Sequence, residues 1–134
     1  MAKLWYAAAL ISSLAPAVAR ASPAEDANAI VANWAASYSA NDVDALLGLY
    51  STDAILLGTT SPIIADTAES RRAYFARLPG TGNKSVIGDH RTMVISDTAV
   101  LVTGFYDFTL FRDGKPTESP SRLPCSWSNS GPVG

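Results

Sequence analysis

Cysteine occurs once in this sequence, as Cys125, and histidine once, as His90. A lone thiol excludes an intramolecular disulfide, and one of each leaves no Cys/His cluster for a zinc-type centre. Nor is there a basic excess: 10 Lys and Arg stand against 12 Asp and Glu, a net charge of −2. That argues against nucleic acid or an anionic membrane surface as partner, since both require a basic face. No internal repeat, low-complexity tract, kinase motif, glycine-rich phosphate loop or basic amphipathic helix occurs. The apolar run Leu4–Ala19 is broken by Pro16 and falls short of the roughly 20 residues that span a bilayer.

What is present begins with an address. Lys3 supplies a basic start, Leu4–Leu14 an apolar stretch, and Ala19-Arg20-Ala21 a small-x-small cleavage pattern. Residues 1–21 therefore read as a signal peptide, the other reading being an uncleaved N-terminal anchor. Cleavage after Ala21 leaves 8 basic side chains against 12 acidic ones, a net charge of −4. The expectation is an exported protein, periplasmic or extracellular, with no membrane association after cleavage. With no disulfide available, a single core must supply its stability.

Ser22-Pro23-Ala24-Glu25 is a helix start: an N-cap serine, proline at the first position, and glutamate three residues after the cap. Ala27, Ile30, Val31, Trp34, Ala35 and Tyr38 follow at helical spacing, and the helix should end near Ala40-Asn41. Asp42 caps a second, shorter helix with Val43, Leu46, Leu47 and Tyr50. Ala54–Leu57 and Ile63-Ile64 read as brief strands. Asp66 or Thr67 caps a third helix, closed by Pro79-Gly80, on which Arg71, Arg72 and Arg77 read as the solvated face.

Lys84–Lys115 is the longest patterned stretch, two strands rich in β-branched and aromatic residues. Asp97 and Arg112-Asp113-Gly114-Lys115 carry turn chemistry. Both faces of the second strand are largely apolar, so the sheet should be covered on both sides. Helices gathered before a mainly antiparallel sheet indicate an α+β domain. After Arg122 the periodicity stops, although Lys115–Arg122 should lead into a third long strand. Residues 123–134 read as an atypical tail, either a frameshift or truncation product or a genuinely divergent end.

Several segments together resemble the nuclear transport factor 2-like superfamily: Leu49–Gly58, Tyr74-Phe75, Ser96–Val100, Gly104–Tyr106, Asp113–Lys115 and Pro120–Arg122. Within it the chain is similar to SnoaL-like proteins and to bacterial stand-alone relatives of the calcium/calmodulin-dependent protein kinase II association domain. The resemblance covers about Ala27–Arg122, and the domain is expected over residues 22–122. It implies a cone of N-terminal helices packed on a curved sheet, a pocket inside, and a homodimer or larger homo-oligomer formed through the sheet's outer face. No cofactor and no metal are expected.

Tight pairing of the hairpin would put Asp89 and Arg91 on one face with Gly104 and Tyr106, and His90 on the other with Phe105 and Asp107. The resemblance then favours Asp89, Arg91, Tyr106 and Arg122 as the polar set around a small ligand. An arginine pair would suit a carboxylate. The plainer reading of Asp89 and Arg91 is an ion pair on a sheet. His90 with Asp107 could serve as a general base, or be a surface histidine. Tyr38, Tyr50 and Tyr74 could line the cavity or simply pack the core. Asp53 reads as a turn residue before a strand. Three functions stay open: a small-molecule-binding domain, a SnoaL-like acid/base enzyme of isomerase, dehydratase or cyclase type, and an oligomeric scaffold.

Overall fold

The computed structural model describes residues 21–59 and 61–128, with side chains through Leu123. The expected leader, apart from Ala21, and residues 129–134 of the tail lie outside the described residues. Helix α1 spans Pro23–Ala40, and its start is the reciprocal cap that the sequence encodes. The Ser22 hydroxyl accepts from the Glu25 amide at 3.3 Å, and the Glu25 carboxylate accepts from the Ser22 amide at 2.7 Å. Those bonds, the backbone one first, hold the Glu25 carboxyl below its ordinary value. A carboxyl lowered in the folded state adds stability above its unfolded pKa and loses it as pH falls through the folded value. Glu25→Gln should therefore be less stable than the parent at neutral pH and converge with it in acid, once the pH has fallen below the folded-state value. Chemical denaturation at neutral and acid pH checks this; a gap that persists in acid would contradict it.

At its other end α1 stops because Asn41 adopts a left-handed conformation, φ 58°. The Asn41 side chain then ties the helix to the start of the sheet. Its Nδ2 donates to the carbonyls of Tyr38 and Asn83, both at 3.0 Å, and its Oδ1 accepts from the Gly82 amide at 2.9 Å. Helix α2, Val43–Leu47, is capped by Asp42 and buries Leu46. Strands β1 (Leu56–Leu57) and β2 (Ile64–Ala65) form a separate small hairpin. Helix α3, Ala68–Phe75, starts on a Thr67–Ser70 capping box. It ends several residues before Pro79, because a turn carries Leu78 back under Phe75.

One expectation on α3 is overturned. Arg71 is 3% exposed. Its guanidinium donates to the carbonyls of Ala54, Ser51 and Thr52, and it lies 6.0 Å from the Tyr50 ring centre. Arg71, Phe75 and Leu78 follow one another at i, i+4 and i+7, the spacing of a single helix face, which is why Arg71 points inward. Arg72 and Arg77 are exposed as expected, and Arg72 pairs with Asp44 at 2.8 Å.

The main sheet is antiparallel in the order β3 (Lys84–Ser96), β4 (Ala99–Arg112), β5 (Lys115–Ser128). Asp113 and Gly114 both take positive φ, 49° and 74°, the paired left-handed turn that Asp-Gly favours between strands. Helix α1 covers the inner face, where Ala27 and Val31 pack on Val100 and Val102. Trp34, Tyr38 and Tyr50 pack around Leu46, Phe75 and Leu78 in a second cluster. The outer face stays open, with Phe105 57% and Val86 65% exposed.

Strand β5 runs on past Arg122, where the sequence pattern ended. Pro116, Pro120 and Pro124 oppose Phe111, Asp107 and Thr103, all at positions of one parity. A residue without an amide hydrogen fits a ladder only where its nitrogen faces away from the neighbour. All three prolines thus sit on the free edge and leave the bonds to β4 intact. The lost alternation reflects this edge, which proline blunts against further strand pairing.

Candidate functional site

Between α1, α3 and the inner face of the sheet lies a cavity of about 410 Å³. Its floor is aromatic. Trp34 stacks on Tyr38, with ring centres 5.4 Å apart and planes 15° from parallel. Tyr106 meets Phe108 edge to face at 4.7 Å, and Phe108 lies 5.0 Å from Tyr38. Behind this wall the Trp34 indole nitrogen donates to the Tyr50 hydroxyl at 2.8 Å, which fixes the indole plane. Tyr74 lines the cavity from α3 and presses on the small hairpin. A Cβ at Gly58 would stand 2.1 Å from the Tyr74 ring, so only glycine allows that approach.

The polar lining is hydroxyl, amide and guanidinium. Tyr38, Tyr74, Tyr106, Ser119, Ser121, Thr81 and Asn83 contribute, as do Arg77 and Arg112. Burial pushes the Tyr38 phenol up, against a smaller opposite effect of its bond with Asn83, and Tyr74 and Tyr106 are near enough to raise it further. Tyr38 therefore remains a neutral hydroxyl donor through the physiological range. No carboxylate or imidazole appears among the described residues that line this space.

The four residues favoured from the sequence do not share one cavity. Tyr106 lines the interior. Asp89, Arg91 and Arg122 line a more open depression with His90 and Phe105. The cause is a bulge. Ile87 opposes Tyr106, but the next pair is His90 with Gly104, followed by Arg91 with Thr103. One extra residue here, together with a second register shift between Val94 and Ser96 nearer the turn, puts the segment from His90 to Val94 one residue out of step with a regular pairing. Arg91 is thereby on the outer face, His90 takes the position opposite Gly104, and Asp107 opposes Val86 on the outer face. Of the two readings of His90, partner of Asp107 or surface histidine, the structure shows an exposed histidine whose Nδ1 lies 3.0 Å from the Gly88 carbonyl. Arg122 opposes Phe105 and faces outward, while its neighbour Ser121 opposes Tyr106 and is buried.

The bulge was signalled by Gly88 and Gly104, since glycine inside a strand marks irregular pairing or close approach. Tyr38 and Tyr74, held open between packing and cavity, line the cavity; Tyr50 packs behind it. Arg77, Arg112, Asn83 and Ser121 carried no sequence signal of a shared site, because only tertiary folding brings them together. Asp53 is an exposed turn residue. The Ser51 hydroxyl, its own amide and Arg71 hold its carboxyl below the ordinary value.

No family model matches the sequence, and no curated protein matches it. Solved structures do. One is a protein assigned as a calcium/calmodulin dependent protein kinase II association domain from Xanthomonas campestris, at 24% identity, 81% coverage of each chain and TM-score 0.71. Another is the beta subunit of benzoate 1,2-dioxygenase from Burkholderia mallei, at 14% identity, 85% coverage of each chain and TM-score 0.67. A third, from Novosphingobium aromaticivorans, is an NTF2-like protein with a cystatin-like fold, at 14% identity, covering 82% of this chain and 73% of its own, with TM-score 0.66.

Proposed function

We propose that this chain, which has the nuclear transport factor 2-like fold, is an exported, self-associating domain that binds a small molecule in its interior cavity and performs no reaction on it. The observation that carries the reading is the cavity itself: an aromatic space of about 410 Å³ with converging hydroxyls and no carboxylate or imidazole among its described lining. Small-molecule sites have this composition, apolar walls with a few placed polar groups. Isomerisation or dehydration by acid/base chemistry needs a titratable group with a shifted pKa beside the substrate. Tyr38, whose phenol burial pushes up, is a neutral hydroxyl at physiological pH and not a base, which favours binding over the enzyme reading.

Self-association is supported by the similarity to an association domain and by the open outer face bearing Phe105 and Val86. Export rests on the leader pattern of residues 1–21.

A neutral ring compound, 2-naphthylmethanol, tests the reading by calorimetric titration of protein recovered from an exporting host. Binding should be saturable. It should weaken by about tenfold or more in Gly58→Ala, whose added methyl forces the Tyr74 ring to move. The recovered protein should begin at Ser22 by mass and scatter light as a dimer or larger. No binding, or binding untouched by Gly58→Ala, would remove the cavity from the proposal. An intact leader or a monomer would remove export or self-association.

A further inference from the structure

Charge around the cavity is one-sided. Arg77, just beyond α3, and Arg112, at the end of β4, both line it and both are exposed, so they stand where it meets solvent. Among the described residues neither is paired with a carboxylate; the ion pair formed there belongs to Arg72 and Asp44. The acid closest to Arg112 along the neighbouring strand is Glu118, and it is engaged at 3.1 Å by Thr109. Two guanidinium groups thus face one opening with no acid in the described lining.

Resting on the binding function proposed above, we infer that the ligand is a planar aromatic carboxylate. Its ring lies among Trp34, Tyr38, Tyr106 and Phe108, and its carboxylate points outward to Arg77 and Arg112. Each part of the site selects one part of the molecule. The Trp34–Tyr38 stack and the edge-on Phe108 leave ring-shaped apolar walls that accept a flat π-system by offset or edge contacts. The phenols of Tyr38 and Tyr74 can donate to ring substituents that accept hydrogen bonds. A guanidinium binds a carboxylate through two parallel hydrogen bonds, and two guanidiniums exclude a cationic ligand.

Calorimetric titration of the full-length protein with three probes of one ring system tests this: 2-naphthoate, neutral 2-naphthylmethanol and cationic 2-naphthylmethylammonium. The expected order is naphthoate tightest, by about tenfold over the alcohol at low salt, with the ammonium weakest. In the double variant Arg77→Gln/Arg112→Gln the preference for naphthoate over the alcohol should vanish. Both side chains are exposed, so the double variant is expected to fold; near-ultraviolet circular dichroism checks it. Equal binding of naphthoate and alcohol in the parent, or a preference that survives in the double variant, overturns the ligand class and leaves the cavity function standing. Failure of all three probes to bind overturns both.

Discussion

Arg71→Met should lower the melting temperature by on the order of 10–20 °C, the largest loss expected from any exposed-looking residue of α3. Arginine at this position is nearly completely buried, and its partners are backbone carbonyls, not a carboxylate. Hydrogen bonds from a charged donor each contribute about 1.5–3 kcal/mol when formed. Met keeps the stem and its packing but drops every donor. The carbonyls of Ser51 and Thr52 belong to exposed residues and can turn to water, which limits the net loss to about 3 kcal/mol. Arg71→Lys should fall between, because a single ammonium cannot serve three carbonyls with a planar fork. The 51–54 turn leads into β1, so its loosening should also disorder the hairpin that carries Gly58 against Tyr74. Thermal melts of the two variants decide the matter; a Met variant that melts with the parent would show that the guanidinium bonds contribute nothing net.

Gly104→Ala is expected to cost about 1–3 kcal/mol, the range found when a methyl group is forced into filled space. Here the obstacle is backbone. A Cβ at Gly104 would meet the Asp89 carbonyl oxygen at 2.3 Å and the His90 Cα at 2.5 Å. No side-chain rotation relieves either contact, so the bulge in β3 must move. The bulge adjoins His90 and Arg91, so amide exchange at residues 89–92 should rise sharply in the variant. Unchanged exchange together with an unchanged denaturation midpoint would mean that the two strands separate freely here, contrary to the pairing of His90 with Gly104. The interior cavity begins on the far side of Ile87 and Tyr106, so ring-compound binding should persist in the folded fraction.

These two residues mark the boundary of what could be read in advance. Glycine interrupts both strands, at Gly88 and Gly104, yet the hairpin was paired as though regular, and Arg91 and His90 were assigned to opposite faces from those they occupy. Arg71 lay on the Phe75–Leu78 stripe, and the charge of its side chain hid the spacing. In both cases a local signal existed and a general preference, regular pairing or charged residues outside, outweighed it. Arg77 and Arg112 are a different matter. They stand on separate elements, and no periodicity relates them.

Local chemistry alone determined the helix starts at Ser22, Asp42 and Thr67, the left-handed stop at Asn41 and the Asp113-Gly114 turn. Each depends on side chains bonding to backbone within about four residues, a distance over which sequence order is spatial order. The α+β architecture followed from the same local patterns and from the family resemblance. Tertiary structure decided which face each polar residue occupies beyond the bulge, that β5 continues past Arg122 along a proline-blunted edge, and that rings from α1 and β4 enclose a cavity that Arg77 and Arg112 also line. Those outcomes depend on one-residue register and on packing between segments far apart in the chain, where small local differences are settled by the sum of contacts across the whole core.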